Sequence, residues 1–162
     1  MRLFRFDSEV GRPLTAFGSA DVRLAPVARV GASGDDRVQI GCMHIAPGGH
    51  IGAHPAVGPQ LFLVVAGEGW VRGAAGGSLG PRRRIVAGQA VFWEPGEQHE
   101  SGSERGMMAV VVEGANLDPA RYMPEDGADS TSAGGATSSG ATRTGEALDG
   151  SRRPRRVDRR RA

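Results

Sequence analysis

Residues 1–115 alternate between short apolar runs and breaks rich in glycine and proline, at intervals of roughly 8–12 residues. The runs are enriched in Val and Ile, which favour a pleated, half-buried strand. Short strands at regular spacing are typical of an all-β sandwich or barrel. We therefore predict an all-β domain with strands at residues 3–6, 22–30, 38–45, 61–65, 69–72, 90–93 and 107–112.

The same pattern predicts where the strands end. Residues 47–49, 66–69, 73–80 and 94–96 carry the glycine and proline signals of turns. The three arginines at 82–84 are predicted to lie in an exposed loop. A short helical segment is predicted within residues 116–125, because Asp118 suits the N-cap and Pro119 the first helical position.

The composition changes sharply after residue 125. Residues 126–162 contain only Leu148 and Val157 among the large apolar types, and they end in an arginine-rich stretch at 152–161. Such a segment cannot bury enough apolar surface to offset an ordering cost of about 1–2 kcal/mol per residue. The sequence therefore predicts a barrel over 1–115, a helical segment over 116–125 and a disordered Gly/Ala/Ser/Thr-rich, then Arg-rich, tail over 126–162.

The basic charge of the chain is concentrated in this predicted tail. All 20 basic residues are arginine; residues 1–125 hold 12 of them against 13 acids, and residues 126–162 hold 8 against 5. Arginine tracts attract phosphate backbones in a salt-dependent way. Because no aromatic side chains are interleaved, we expect at most weak non-specific binding by the tail and no specific nucleic-acid partner.

We do not expect a membrane-spanning protein, a secreted protein or a protein held together by disulfides or thiolate-bound zinc. The longest strongly apolar run, residues 61–66, is far shorter than the roughly 20 residues that cross a bilayer, so no membrane partner is expected. The first residues lack the apolar core of a secretory signal. A single cysteine, Cys42, excludes an internal disulfide framework and a thiolate-cluster zinc site. Together these features favour the cytoplasm.

The histidines carry the most informative spacing. His44, His50 and His54 lie within eleven residues, whereas His99 stands alone near a Pro-Gly turn. Two β segments that each bear a histidine can bring both imidazoles into one cavity. His54 and His99 are the predicted pair, while His44 and His50 are predicted to be structural or exposed to solvent.

The two segments resemble the motifs of the cupin superfamily. The first motif has a Gly, five residues, His-x-His, three or four residues, a Glu, six residues and a Gly; the chain runs from Gly48 through His54 and Gln60 to Gly67. The second has a Gly, five residues, Pro-x-Gly, two residues, a His, three residues and an Asn; the chain runs from Gly88 to His99. The resemblance covers residues 38–113. It implies a small jelly-roll β-barrel and a homodimer.

The chain departs from the family at several positions that matter for metal binding. The metal sites of the family use three His and one Glu, and His54 and His99 match the first and last of these ligands. Ala56 stands at the second His position, and Gln60 stands at the Glu position. The implied site for a divalent metal (Mn, Fe, Ni or Zn) is therefore His54 and His99, with Gln60 as a candidate third ligand. A neutral amide is a weaker ligand than a carboxylate.

Two further departures lie in the second motif. Glu94 stands at the Pro position and Ser103 at the Asn position. Three acids near His99 are candidates for the missing negative charge: Glu94, Glu97 and Glu100.

The alternation of the predicted strands also indicates a pocket wall. Phe62 and Val64 share their face of the strand with Gln60. Trp93, a large aromatic near a histidine, suits a planar or cyclic ligand. The residues predicted to line the ligand pocket are Phe62, Val64, Trp93, Glu94, Met108 and Val110.

Two functions of different classes remain open from the sequence. The first is a cupin domain that binds a small molecule in the barrel, with or without a divalent metal. The second is a metal-dependent enzyme of dioxygenase or isomerase type acting on a small organic substrate, with the metal as Lewis acid or oxygen activator. A stoichiometric metal that is lost on His54→Ala or His99→Ala favours the enzyme, whereas a metal-free protein that still binds a ligand favours the binding domain. The catalytic residues are unknown.

Overall fold

The computed structural model describes residues 1–31, 37–75 and 78–126. Nine strands lie in these ranges, and all their pairings are antiparallel. Their bounds are β1 Arg12–Pro13, β2 Ala20–Val30, β3 Val38–Pro55, β4 Gln60–Ala75, β5 Ser78–Leu79, β6 Arg83–Val86, β7 Ala90–Trp93, β8 Gln98–Gly102 and β9 Met107–Gly114. The predicted all-β fold class is confirmed.

Two long strands, β3 and β4, close the structure into a barrel by pairing with different neighbours along their lengths. The first part of β3 pairs with β2 and β9, and its last part pairs with β8. The first part of β4 pairs with β9 and β7, and its later part with β8 and β6. Each long strand thus passes from one face of the barrel to the other.

Glycines allow these two strands to bend without ending. Gly48 in β3 has a φ of 81° and Gly67 in β4 a φ of 77°, in the left-handed region that favours glycine. A Cβ on Gly67 would lie 2.3 Å from the carbonyl oxygen of Gly106. The predicted breaks at 47–49 and 66–69 were therefore wrong, because these turn residues form bends inside continuous strands.

Three other sequence predictions need correction. Residues 3–6 form no strand; they have no pairing partner, and the side chain of Leu3 is 89% exposed. β8 was missed because its sequence is polar, although it lies between β3 and β4. Arg83 and Arg84 belong to β6 and not to a loop, although both are exposed as predicted.

The core fills the inner face of the barrel. Phe62 and Val64 on β4 oppose Val111 and Ala109 on β9 in direct register, and all four are buried. Burying each large apolar side chain contributes about 1.5–3 kcal/mol. The largest buried side chains are Trp93 and Phe62.

Short turns flank the barrel. Ala16–Gly18 forms one 3-10 turn, and Pro119–Arg121 forms another at the predicted helical segment. Pro119 begins the second turn as predicted, but the side chain of Asp118 makes no capping hydrogen bond. The predicted disordered tail lies outside the described residues. No helix in the described part of the chain is long and apolar enough to cross a membrane.

Candidate functional site

A cavity opens inside the barrel between the two faces. The centre of a water molecule can reach about 140 Å³ of it, which is room for a small organic molecule. Apolar and aromatic side chains dominate its wall, and a few polar groups converge on it, as in most ligand sites. The lining residues are Leu14, Phe17, Leu24, Met43, Ile51, His54, Gln60, Phe62, Trp93, His99, Ser101 and Glu113.

The structure brings His54 and His99 together in this cavity. They occupy directly opposed positions on β3 and β8, although 45 positions separate them along the chain. Their ring centroids lie 4.2 Å apart, with 55° between the ring planes. The convergence depends on β8, the polar strand that the apolar pattern did not reveal.

Backbone carbonyls determine which ring nitrogens carry protons. Nδ1 of His54 lies 2.8 Å from the carbonyl oxygen of Gly52, and Nδ1 of His99 lies 3.2 Å from that of Glu97. Because a carbonyl only accepts, each Nδ1 must donate. In the neutral imidazole this leaves Nε2 as an acceptor, and neither Nε2 has a hydrogen-bond partner within the described residues.

Burial keeps His99 uncharged. The residue is only 2% exposed, and this burial lowers its pKa to about 4, with a smaller lowering from nearby His54. The hydrogen bond to the carbonyl of Glu97 raises the pKa of His99, but by less than burial lowers it. His99 is therefore a neutral hydrogen-bond acceptor at neutral pH.

An aromatic ring stacks on each imidazole of the pair. Phe17 stacks on His54 at 4.2 Å and 5°, and Trp93 stacks on His99 at 4.2 Å and 22°. Phe62 contacts Trp93 at 5.9 Å. These flat apolar faces hold the imidazoles in place and suit a planar ligand.

Phe17 reaches His54 through an unusual local conformation that no sequence pattern predicts. Its φ of 60° is rare for a residue other than glycine and marks backbone strain. The turn containing Phe17 packs so closely on β3 that a Cβ on Gly52 would lie 1.9 Å from the carbonyl oxygen of Phe17. The Gly52 N–H also donates to Oγ of Ser19 at 3.2 Å.

Glu113 is the functional candidate that the sequence interpretation missed. It lies directly opposite Gln60 in the β4–β9 register and accepts a hydrogen bond from the Gln60 amide. Continuing the alternation from Ala109 through Val111 places Glu113 on the same inner face. The sequence shows that alternation, but it does not show which of the two alternating sets of residues faces the inside of the barrel.

The β9 register also corrects two predicted pocket residues. Met108 and Val110 lie on the outer face of β9, because Met107, Ala109 and Val111 are its buried positions. Neither lines the cavity. Val64 points inward as predicted, but it packs in the core and does not line the cavity.

The predicted acids near His99 lie elsewhere. Glu94 is exposed in the turn after β7, where its N–H donates to the Glu97 carboxylate at 3.0 Å. Glu100 pairs with Arg72 on β8 and β4. The carboxylate of the cavity therefore comes from Glu113 and not from Glu94, Glu97 or Glu100.

Two family positions have structural roles in this chain. Ala56, at the second His position, is buried, and its backbone exchanges hydrogen bonds with Glu97 and Gly96 in the turn before β8. Ser103, at the Asn position, donates to the Glu68 carbonyl at 2.6 Å and accepts from the Gly106 N–H at 2.8 Å. Both residues shape turns.

The remaining histidines and the cysteine lie outside the cavity. Nε2 of His44 contacts the carbonyl of Phe6 at 2.8 Å, and His50 lines a separate surface depression. Cys42 is free and buried, and burial raises the pKa of its thiol, which favours an unreactive side chain.

Comparison with known proteins identifies the architecture. A cupin superfamily protein from Desulfitobacterium hafniense matches with a TM-score of 0.51 and 18% identity, over 72% of this chain and 100% of that one. A Cupin 2 conserved barrel domain protein from Salinispora arenicola matches with a TM-score of 0.54 and 17% identity, over 72% of this chain and 90% of that one. The chain has the cupin fold. A predicted oxalate decarboxylase from Thermotoga maritima also matches this chain, with a TM-score of 0.51 and 18% identity, over 67% of this chain and 96% of that one. No protein-family model and no curated protein matches the sequence.

The donors in this cavity do not fit the divalent metal centre that the cupin motifs imply. Among the described residues, no group of three or more His, Cys, Asp or Glu side chains is placed to hold a metal ion. His54 and His99 supply two imidazoles, and Gln60 offers only the neutral oxygen of an amide whose nitrogen donates to Glu113. Protein sites for transition metals normally supply at least three ligands, and a carboxylate offsets the charge of the ion.

Proposed function

We propose that this cupin binds a small organic molecule in the barrel cavity and does so without a metal ion. The proposal depends on one observation: the cavity is lined by aromatic faces and by two imidazoles whose Nδ1 atoms are already committed to backbone carbonyls. Such a site offers apolar contact area together with a few oriented polar atoms. That combination is typical of ligand pockets.

Each group has a distinct part in this proposed binding. Trp93 and Phe62 supply apolar wall for a flat ligand, and the Nε2 atoms of His54 and His99 accept its hydrogen bonds. Gln60 and Glu113, joined by their own hydrogen bond, present a second polar pair. The stacking keeps the imidazole rings from rotating, so little entropy is lost when a ligand binds.

A metal-dependent enzyme of dioxygenase or isomerase type is the second candidate. One observation favours it: ligating histidines commonly donate their second ring nitrogen to a carbonyl, as both do here. The candidate metals are Mn, Fe, Ni and Zn. It requires a third strong ligand, and Gln60 is the only candidate for that position from the sequence motif.

The chain carries a built-in control for a binding experiment. Trp93 lines the cavity, whereas Trp70 lies outside it under the guanidinium of Arg82, at 3.6 Å from the ring centre. The probes are a set of planar heterocycles and benzene derivatives, added to metal-free protein while the two indole N–H signals are followed by NMR. The Trp70→Phe variant assigns the signals. We expect some of these probes to shift the Trp93 signal and leave that of Trp70 unchanged.

A matched pair of variants tests whether binding occurs in the cavity. Leu24 lines it, and Leu61 points to the outside of the barrel. Leu24→Phe fills the cavity and should abolish the shifts, whereas Leu61→Phe should not. The proposal is overturned if no probe shifts the Trp93 signal, or if Leu24→Phe leaves the shifts intact.

We further propose that two copies of the chain associate as a homodimer. The outer face of the sheet formed by β3, β9 and β4 carries apolar side chains that are only partly covered: Ile40, Leu61, Leu63, Val65, Met108, Val110 and Val112. A contiguous apolar face of this kind is typical of an interaction surface. A second copy presents the same face and would cover it symmetrically.

A further inference from the structure

The polar atoms that line the cavity are mostly hydrogen-bond acceptors. The Nδ1 atoms of His54 and His99 already donate to carbonyls, which leaves their Nε2 atoms as acceptors. The amide nitrogen of Gln60 donates to Glu113, which leaves the amide oxygen free to accept. Two of the described lining residues can donate: the hydroxyl of Ser101, which can also accept, and the indole N–H of Trp93.

The charge of the cavity is equally one-sided. Of the described residues that line the cavity, Glu113 is the only acid, and none is an arginine. None of the salt bridges formed by the described residues includes Glu113. A half-buried carboxylate without a cationic partner favours a ligand that supplies the positive charge.

The aromatic lining reinforces this preference. Phe17, Phe62 and Trp93 present ring faces, and the electron-rich face of an aromatic ring attracts a cation. A carboxylate or phosphate ligand would meet acceptors, ring faces and a like charge. The acceptor atoms, the aromatic ring faces and the carboxylate of Glu113 therefore all disfavour an anionic ligand.

We infer that the ligand of this cavity is a small organic cation, with a protonated amine or amidine attached to a planar apolar body. The inference rests on the proposed function and adds the chemical class of the ligand to it. The N–H groups of the cation would donate to Glu113, to the oxygen of Gln60 and to the imidazole Nε2 atoms. The planar body would lie against Trp93 and Phe62.

Three probes of nearly equal size test the charge preference. Benzylamine is cationic, benzyl alcohol is neutral and benzoate is anionic, and all three carry the same ring. Each is titrated into the metal-free protein at about pH 8, above the ordinary pKa of histidine, while the Trp93 indole signal is followed. We expect a Kd for benzylamine that is at least about tenfold lower than for benzyl alcohol, with benzoate weakest.

Two isosteric variants identify the responsible charge. Glu113→Gln removes the carboxylate but keeps an oxygen that accepts from Gln60, so it should raise the benzylamine Kd by about tenfold and change that of benzyl alcohol by less than about twofold. Glu94→Gln removes the same charge from an exposed turn and should change neither Kd.

The outcomes separate this inference from the proposed function. If benzyl alcohol or benzoate shifts the Trp93 signal as strongly as benzylamine, the cavity binds ligands but the cationic class is wrong. If both variants weaken benzylamine equally, general charge attraction explains the preference and the inference fails. Absence of binding by benzylamine at millimolar concentration also overturns it, whatever the heterocycle set described above reveals about the cavity.

Discussion

His54 and His99 oppose each other across strands β3 and β8, with ring centroids 4.2 Å apart, Phe17 stacked on the first ring and Trp93 on the second. In both rings the N–H at Nδ1 donates a hydrogen bond to a backbone carbonyl. The relationship places two oriented acceptors inside an apolar barrel. Four consequences of this arrangement and of the surrounding fold can be measured.

Protonation of His99 should destabilise the fold in mild acid. Burial holds its pKa at about 4, below the ordinary 6.5, so the unfolded chain takes up the proton first as the pH falls. The stability due to the neutral ring is fully present above pH 6.5 and is lost between 6.5 and 4, by about 3 kcal/mol in total. Urea unfolding at a series of pH values measures this loss.

A variant isolates this contribution from that of the carboxylates. His99→Phe keeps an aromatic ring beside His54 and Trp93 but cannot titrate, so its stability should fall less between pH 6.5 and 4 than that of the parent. His44→Phe removes a partly exposed histidine outside the cavity and serves as the control. An identical pH dependence in the parent and in His99→Phe would contradict the prediction.

Gly52→Ala should displace the turn that carries Phe17. The new Cβ would lie 1.9 Å from the carbonyl oxygen of Phe17, so the turn must move away from β3 and uncover His54. We expect a loss of at least about 2 kcal/mol in the free energy of unfolding, measured in urea. Gly58→Ala adds the same methyl group in open space and should change stability by no more than about 0.5 kcal/mol. Equal effects of the two substitutions would refute this account of Gly52.

Metal ions should neither copurify in full amount nor stabilise the protein. Because no three His, Cys, Asp or Glu side chains of the described residues are placed to hold an ion together, elemental analysis should find less than one ion of Mn, Fe, Ni or Zn per chain. Adding these ions, or a chelator, should leave the thermal unfolding midpoint unchanged. A full complement of one ion that survives the chelator and is lost in His99→Ala would support the metal-dependent enzyme instead.

A charge on the outer sheet face should break the proposed homodimer. Val65 lies on that face and is 48% exposed, so Val65→Glu is tolerated by the folded chain but places a charge against its own copy in the dimer. Light scattering should then give the mass of one chain, against two for the parent. Val57→Glu, at a 97% exposed position between β3 and β4, should stay dimeric. A parent protein with the mass of a single chain would rule out the dimer.

The fold class and the two histidines of the cavity could be predicted from the amino-acid sequence. Apolar runs revealed the strands that are buried on one face, and the spacing of Gly48, His54, Gly67 and His99 resembled the cupin motifs closely enough to predict a shared hollow. The local pattern could do this because burial on one face imposes alternation within each strand.

Which alternate positions face inward, and therefore which carboxylate lies in the cavity, depends on how the strands pair in the folded barrel. A shift of one residue in the β4–β9 pairing would bring Met108 and Val110 inside in place of Val111 and Glu113. That register depends on hydrogen bonds between strands about 50 positions apart, which no local pattern encodes. The approach of Phe17 to His54 likewise depends on close packing against Gly52, a contact between segments distant in the chain.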